Sequence, residues 1–171
     1  QFTVTGGVGD LRQLHLDPGE AMYTLPCDGP DQFRRAAREA CREGVDVLKI
    51  VPSGDTSTPD VPSARTTMTD AEVAAVCQVA RAHDRVAAAH ARSADSIKLC
   101  VRNGVQVIYH ATCADAESLD LLEAHKDRHF VAPGIAWLIS TSHHAAEWGI
   151  TPEIAKGMGY HRELETACTT L

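Results

Sequence analysis

The sequence predicts an α/β fold with a parallel sheet, and three observations support this prediction. Helical stretches with one apolar face alternate along the chain with short apolar segments of strand length. Residues 44–48 and 104–108 repeat one arrangement, in which a glycine that ends a helix is followed at once by a strand. No linker or low-complexity tract divides the 171 residues, so one domain without an internal boundary is expected. Buried strands that alternate with helices run parallel through right-handed crossovers.

The first predicted helix spans about residues 31–43, with its apolar residues on one face and its arginines on the other. Gly44 ends this helix, and residues 45–51 follow as a strand. Thr69 and Glu72 occupy the two key positions of a capping box that begins the second helix. The strand predicted at 86–90 is rich in alanine, a weak strand former, so periodicity alone leaves its assignment open.

The second half of the chain continues the alternation. Ser93 can cap a third helix, which Gly104 ends, and residues 105–110 follow as a strand. A helix at about 115–125 leads to a short strand at 130–133, and an apolar stripe from about His161 predicts a last helix. With a strand at 2–4 the chain has five predicted strands, which an open sheet or a barrel could contain.

The composition excludes two classes of function. The net charge of −7, from 23 acidic and 16 basic side chains, argues against a nucleic-acid partner, because such proteins carry a basic stripe. No run of 18 apolar residues occurs, so no membrane span is expected. Six cysteines show no C-x-x-C spacing, and three of them lie on apolar helix faces. Reduced core thiols in a cytoplasmic protein are favoured over disulfides.

Three predicted strands end in or near a residue that can bind a metal: Lys49, His90 and His110. The carboxyl ends of parallel strands open onto one face, where these side chains can converge. A single histidine there is more often structural, but two at equivalent positions make a metal site an equal alternative. Lys49 interrupts an apolar strand, where a buried ammonium is costly. It could reach the rim, form a Schiff base, act as a neutral base, or be carboxylated by CO₂.

Three other features have a structural and a functional interpretation. The glycine-rich residues 5–10 match no phosphate-binding motif, so a tight turn is favoured. The long polar loop 52–68 follows a strand, as a substrate loop or lid would. His143 and Glu147 have helical metal-ligand spacing, but a polar surface turn is favoured there.

The spacing of Lys49, His90 and His110, 41 and 20 residues apart, resembles that of the amidohydrolase superfamily, the metal-dependent hydrolases on a (β/α)₈ barrel. Residues 46–54, 88–91 and 107–111 look like the strand-four, strand-five and strand-six motifs of its imidazolonepropionase- and prolidase-like branch. The segments 90–93, 108–111, 123–128 and 132–138 look like the subgroup that hydrolyses phenylureas and thiocarbamates such as molinate. The resemblance implies that the chain is the central portion, about strands 3–7, of a TIM-type barrel, apparently incomplete.

The same resemblance implies a metal centre and a substrate site. Lys49, as its CO₂-derived carbamate, would bind or bridge one or two divalent ions, with zinc first and cobalt or manganese as alternatives. His90 and His110 would hold the second ion. Arg92, Tyr109 and Trp137 are the candidate substrate-binding residues. Their structural alternatives are a solvated loop charge for Arg92, outer-layer packing for Tyr109 unless a bulge intervenes, and ordinary packing for Trp137.

The expected function is hydrolysis of a C–N bond in a small amide, urea or carbamate-type substrate by metal-activated water, in a homo-oligomeric full-length enzyme. An Xaa-Pro dipeptidase-like or N-acyl amino acid hydrolase is the alternative within the family. A catalytically incomplete structural portion and a Schiff-base lyase are the alternatives outside it. Val8 stands where the branch has a loop histidine, and the chain has no His-x-His pair and no strand-eight Asp. A longer parent chain carrying both is therefore expected.

Overall fold

The protein is described by a computed structural model that covers residues 1–10, 23–58 and 60–170. Six parallel strands form one sheet, in the spatial order β2-β1-β3-β4-β5-β6. The strands are β1 (Phe2–Thr3), β2 (Leu25–Pro26), β3 (Val47–Ile50), β4 (Val86–Ser93), β5 (Val107–Cys113) and β6 (Phe130–Ala132). The helices are α1 (Gly29–Arg42), α2 (Asp70–Ala82), α3 (Ala94–Asn103), α4 (Ala116–Ala124), α5 (Ile135–His143), α6 (Pro152–Met158) and α7 (Tyr160–Thr170), with a 3-10 helix at Ala145–Trp148.

The face of the sheet on which the helices lie distinguishes an open sheet from a barrel. Each of α1 to α4 packs beside the next one along the same face of the sheet. Leu48 and Ile50 of β3 point to that face and are almost fully buried, whereas Val47 on the opposite face is 47% exposed. An open doubly wound sheet carries helices on both faces, but a barrel carries them only outside. The described residues therefore form an incomplete portion of a TIM-type barrel, in which the inner face is exposed at Val47 of β3 but buried at Ala88 and His90 of β4.

The predicted elements are confirmed from β3 to β6, with corrected ends. Thr69 accepts from the backbone N–H of Glu72, whose carboxylate accepts from the N–H of Thr69, so the predicted capping box begins α2. Ser93 caps α3, and Gly104 ends it with a positive φ of 78°. β4 and β5 each continue three residues beyond the predicted strand ends. Three elements, β2, α5 and α6, were not predicted from the sequence. In the case of β2 the reason is that it has only two residues and includes a proline.

The core has two parts. The larger cluster lies between the sheet and α1 to α4 and includes Phe33, Val76, Ile97 and Ile108. A smaller cluster joins α5 to α7 through Leu138, Tyr160 and Ala167. All six cysteines are free, and four of them are buried, as predicted for reduced core thiols. In the described part of the chain, no helix is both long and apolar enough to cross a membrane.

Candidate metal centre

Lys49 lies on the inner face of the sheet. It pairs in register with Ala88 of β4, and its neighbours Leu48 and Ile50 point the other way, into the layer beneath the helices. Its side chain is only partly exposed, and burial lowers the pKa of its amine. The Nζ atom lies 4.9 Å from the centre of the Tyr109 ring, and no carboxylate forms an ion pair with it among the described residues. A larger fraction of neutral amine follows than for a solvated lysine.

His90 shares the face of Lys49, because it follows Ala88 by two positions on β4. Its Nε2 lies 2.9 Å from the carbonyl oxygen of Gly54 and 3.6 Å from Oδ2 of Asp55. Burial lowers the pKa of His90 and outweighs the hydrogen bond with Gly54, which raises it. The imidazole is therefore neutral near pH 7. When Nε2–H donates to Gly54, Nδ1 carries the lone pair that a metal requires.

His110 reaches the same face through a break in strand geometry. His90 pairs with Tyr109, so a regular strand would turn the next residue, His110, toward the helices. Instead φ is +80° at His110 and +52° at Ala111, and the register of β4 with β5 shifts after Ala91. The two imidazole rings then lie edge to face with centres 4.6 Å apart. Positive φ is unfavourable for both residue types, and such strain occurs often at functional sites.

The surroundings of His110 leave one of its nitrogens without a protein partner. Nδ1 is buried and accepts or donates no hydrogen bond within the described residues. Burial, followed by the charges of Arg92 and His90, lowers the pKa of His110 to about 2. A Cβ atom on Gly134 would come within 3.0 Å of Nδ1, so only glycine leaves the ring its present place. An unpaired buried ring nitrogen is costly, and a metal ion is one group that would satisfy it.

Tyr109 also faces the interior, beside Lys49 and His90. The predicted alternative to substrate contact was that Tyr109 points away from the ligands, unless a bulge intervenes, and packs on the helix side. That alternative is wrong, because Tyr109 occupies the regular inward position and His110 is the residue displaced by the irregular backbone. Substrate contact by Tyr109 stays a prediction.

These residues fit a metal ion as a partial ligand set. Two neutral imidazoles and a lysine amine with a lowered pKa converge on the inner face, and one buried ring nitrogen has no other partner. Within residues 1–10, 23–58 and 60–170, no group of three or more His, Cys, Asp or Glu could hold a metal. A ligand role for Lys49 stays a prediction.

Arg92 lies elsewhere than expected. It was predicted at the pocket rim, with a solvated loop charge as the alternative, but it is 2% exposed. Its Nε donates to Oδ2 of Asp55 at 2.9 Å, and its Nη1 donates to Glu163 of α7. Ser63 and Thr112 also donate to the carboxylate of Glu163. The guanidinium is thus bound by two carboxylates of the chain, and substrate contact by Arg92 stays a prediction.

Sequence reasoning missed Asp55 and Glu163 as parts of this site. Burial raises the pKa of Asp55, but the charge of Arg92 and the hydrogen bonds from Ser57 outweigh it, so the net pKa is lowered. The only sequence signal for Asp55 is its place in the loop after β3. Glu163 is one of two acidic residues on its helix and is separated from Arg92 by 71 positions, so no local pattern marks it.

The loop 52–68 folds back over the strand ends. Ser53 forms an isolated antiparallel bridge with Thr66, and Thr66 exchanges a 2.7 Å hydrogen bond with Ser93. A Cβ on Gly54 would lie 2.1 Å from the carbonyl oxygen of Pro62, so the loop closes only with glycine at this position. Its role as a substrate loop stays a prediction, but its place beside His90 agrees with it.

Two other predicted features lie apart from this centre. Trp137 is on α5 and is 40% exposed, and its ring lies 6.1 and 6.2 Å from those of Trp148 and Tyr160, measured between centres. Substrate contact by Trp137 stays a prediction. His143 packs against His161, while Glu147 binds His144 at 3.0 Å. The described contacts therefore do not pair His143 with Glu147.

Comparisons with known proteins show which proteins this chain resembles. No protein-family model matches the chain. A solved amidohydrolase structure superposes on 98% of this chain with a TM-score of 0.80 and 27% identity, and the match covers 44% of that structure. A prolidase complexed with N-methylphosphonate-L-proline matches 98% of this chain, with a TM-score of 0.80 and 28% identity over 44% of its own length. The chain is therefore similar, in fold and in sequence, to proteins of the amidohydrolase family.

Further proteins of the amidohydrolase family also resemble this chain. Ochratoxinase from Aspergillus niger is 26% identical over 96 residues, which are 56% of this chain and 20% of that protein. Molinate hydrolase and phenylurea hydrolase B, with TM-scores of 0.51 and 0.52, cover 72% and 85% of this chain and are each 18% identical, so they support the fold alone. The chain spans less than half the length of each of these relatives.

Proposed function

We propose that this chain forms the central portion of a metal-dependent amidohydrolase that cleaves a C–N bond of a small amide, urea or carbamate-type substrate. One observation carries the proposal. Lys49, His90 and His110 converge on the inner face at the carboxyl ends of three neighbouring parallel strands, with both imidazoles neutral. This is the face of a (β/α)₈ barrel on which catalytic residues lie.

Lys49 as its carbamate, His90 and His110 would hold one or two divalent ions, with zinc proposed first. A bound ion of this kind supplies Lewis acidity toward the scissile carbonyl and lowers the pKa of a coordinated water toward neutrality. Burial prepares Lys49 for carboxylation, because only its neutral amine forms the N–C bond to CO₂, with loss of one proton. The product is a carboxylate-like group, of the kind that binds divalent ions.

The chain's own residues orient and shield this centre. Gly54 fixes the ring of His90 through its carbonyl oxygen, and Asp55 is held beside it by Arg92. Tyr109 is the best placed of the three predicted substrate residues, because its ring faces Lys49. Arg92 and Trp137 are occupied by partners within the chain, so we assign them positioning and packing roles.

A dipeptidase acting on Xaa-Pro bonds is the second candidate. The similarity to the prolidase structure, at 28% identity over nearly the whole chain, favours it. The broader class of amide, urea and carbamate-type substrates stays the first proposal. Both candidates use the same three side chains and differ only in the groups that surround the scissile bond.

The test is metal content and activity of the protein expressed from its complete reading frame. We expect about one or two equivalents of zinc, cobalt or manganese, and loss of activity with a chelator, against a panel of phenylureas, thiocarbamates, N-acyl amino acids and Xaa-Pro dipeptides. Lys49→Ala should lose bound metal and activity together, while Lys126→Ala, an exposed lysine on the far side of α4, should keep both.

Two outcomes would contradict the proposal. Full metal content and activity in Lys49→Ala would exclude a ligand role for the lysine. Trapping of Lys49 by borohydride in the presence of a carbonyl substrate would favour a Schiff-base lyase instead.

A further inference from the structure

A second site lies beside the candidate metal centre, in a cavity of about 420 Å³ between the loop after β3 and the corner of α6 and α7. Asp55 is part of its wall, and Oδ2 of the same residue lies 3.6 Å from Nε2 of His90. The side chain of Asp55 therefore lies between the cavity and the predicted metal ligand His90. A space of this size accommodates a small organic molecule.

The acidic groups in the cavity wall are already bound. Asp55 accepts from Arg92 and from the backbone and hydroxyl of Ser57. Glu163 accepts from Arg92, Thr112 and Ser63. Since each carboxylate oxygen has a donor, the wall offers no free acceptor strong enough to select a cation.

Three donor groups in the same wall have no such partner. Lys156 and Arg162 line the cavity, and neither forms a salt bridge or a side-chain hydrogen bond among the described residues. Thr56 is 8% exposed, and its buried hydroxyl has no hydrogen-bond partner. Two cations and an unpaired buried hydroxyl around one space are complementary to a small anion with several acceptor oxygens.

We infer that this cavity binds the carboxylate of a small organic anion, with Lys156 and Arg162 supplying charge and Thr56 a hydrogen bond. A planar carboxylate matches the fork of the arginine, and Met158 and Cys113 offer weakly polar contacts to the remainder of the ligand. Its assignment to a substrate, rather than to a separate effector, rests on the proposed function, since Asp55 connects the cavity to His90.

Binding is tested on the purified protein, expressed from its complete reading frame, by isothermal titration with 3-phenylpropionate and its uncharged match 3-phenylpropan-1-ol. The acid should bind and the alcohol should bind at least about tenfold more weakly. Lys156→Met and Arg162→Met should each weaken binding of the acid about tenfold or more. Thr56→Val should weaken it by a smaller factor, and Thr56→Ser should restore it.

Arg38→Met is the matched control, because Arg38 is an exposed arginine on α1, outside the cavity. Unchanged binding of the acid in Lys156→Met and Arg162→Met would overturn the inference, even if the protein is an active hydrolase. Because 3-phenylpropionate has no amide bond, this result is independent of turnover. Circular dichroism checks that Lys156→Met, Arg162→Met and Arg38→Met, all at exposed residues, remain folded.

Kinetics separate the two sources of the carboxylate. If the anion belongs to a substrate, Lys156→Met should raise the KM of N-acetyl-L-phenylalanine at least about tenfold more than that of N-acetyl-L-phenylalaninamide. If the ligand is an effector, 3-phenylpropionate should change the rate without competing with substrate. Competition with no such KM difference would contradict the substrate assignment.

Discussion

Arg92 connects three parts of the molecule through one guanidinium group. It joins the end of β4 to Asp55 in the loop after β3 and to Glu163 on α7, and its backbone N–H donates to Ser53 at 2.8 Å. All three charged side chains are at most 10% exposed. Burying three charges is tolerable only because each one is paired.

Arg92→Met should reduce the free energy of unfolding by about 3–5 kcal/mol, because it leaves two buried carboxylates without their cation. Urea denaturation measures the loss. Arg42→Met, which breaks a solvent-exposed pair with Glu43, should leave the urea midpoint nearly unchanged. If both variants were equally stable, Arg92 would have no structural role of this kind.

Individual site residues differ in how far the sequence could predict them. Lys49 and His90 stand out because a charged or ionisable side chain interrupts an apolar strand. His110 was predicted to end its strand, but β5 continues to Cys113, and the inward direction of His110 depends on the positive φ at two successive residues, which no local pattern showed. The ion pairs of Arg92 join residues 37 and 71 positions apart, so only the fold brings them together.

The elements that the sequence predicted best have local signals at their ends. The capping box of α2 is complete in four residues, and Glu72 also accepts from the backbone N–H of Gly29 at the start of α1. This residue therefore fixes two neighbouring helices at once. The two-residue strand β2 lacks such signals. Helix α6 has them, because Thr151 caps it, Pro152 begins it and Gly159 ends it, so it was predictable from the sequence but was overlooked.

Thr69→Ala should lower the free energy of unfolding by about 1 kcal/mol, because the N–H of Glu72 loses its side-chain acceptor. Thr69→Ser keeps the hydroxyl and should retain most of the stability. The two variants are compared by chemical denaturation at equal pH. A loss as large for serine as for alanine would show that packing of the threonine methyl group, not capping, is responsible.

The start of α4 predicts a specific dependence on pH. The side-chain hydrogen bond from Lys98, followed by the backbone N–H of Ser118, lowers the pKa of Asp115 to about 2. Because this folded pKa is below the ordinary value of about 3.9, the ionised group stabilises the fold fully above about pH 4. That stabilisation is lost as the pH falls through about 2.

Asp115→Asn tests this dependence, since asparagine caps a helix but does not titrate. The variant should lose less stability than the wild type between about pH 4 and pH 2, as followed by acid unfolding. Parallel acid-unfolding curves for both proteins would contradict an ionisation effect at α4.

At the scale of the whole molecule, the described sheet is open at both edges. β2 and β6 each pair with only one neighbour, and Phe130 on β6 is 77% exposed. Open edges of parallel strands are sites of association. The inner face is also exposed at Val47 of β3, whereas a complete barrel would enclose it.

The 171 residues expressed by themselves should therefore self-associate, as measured by light scattering after size-exclusion chromatography. Phe130→Lys should reduce the associated fraction, because a charge at the edge opposes strand pairing. Trp148→Lys provides the control, since this residue is similarly exposed at 59% but lies in the 3-10 helix, away from the sheet. An equal effect of both substitutions would indicate general hydrophobic association.

The sequence alone determined the alternation of helices and strands, the caps of α2 and α3, and the three side chains at the strand ends. These properties depend on residues within a few positions of one another, through helical periodicity, capping and glycine stops. The tertiary structure alone decided that α1 to α4 cover one face, that His110 turns inward, and that Asp55, Arg92 and Glu163 form one buried network. Each of these depends on long-range packing and on the cost of burying charge, which no short stretch of sequence encodes.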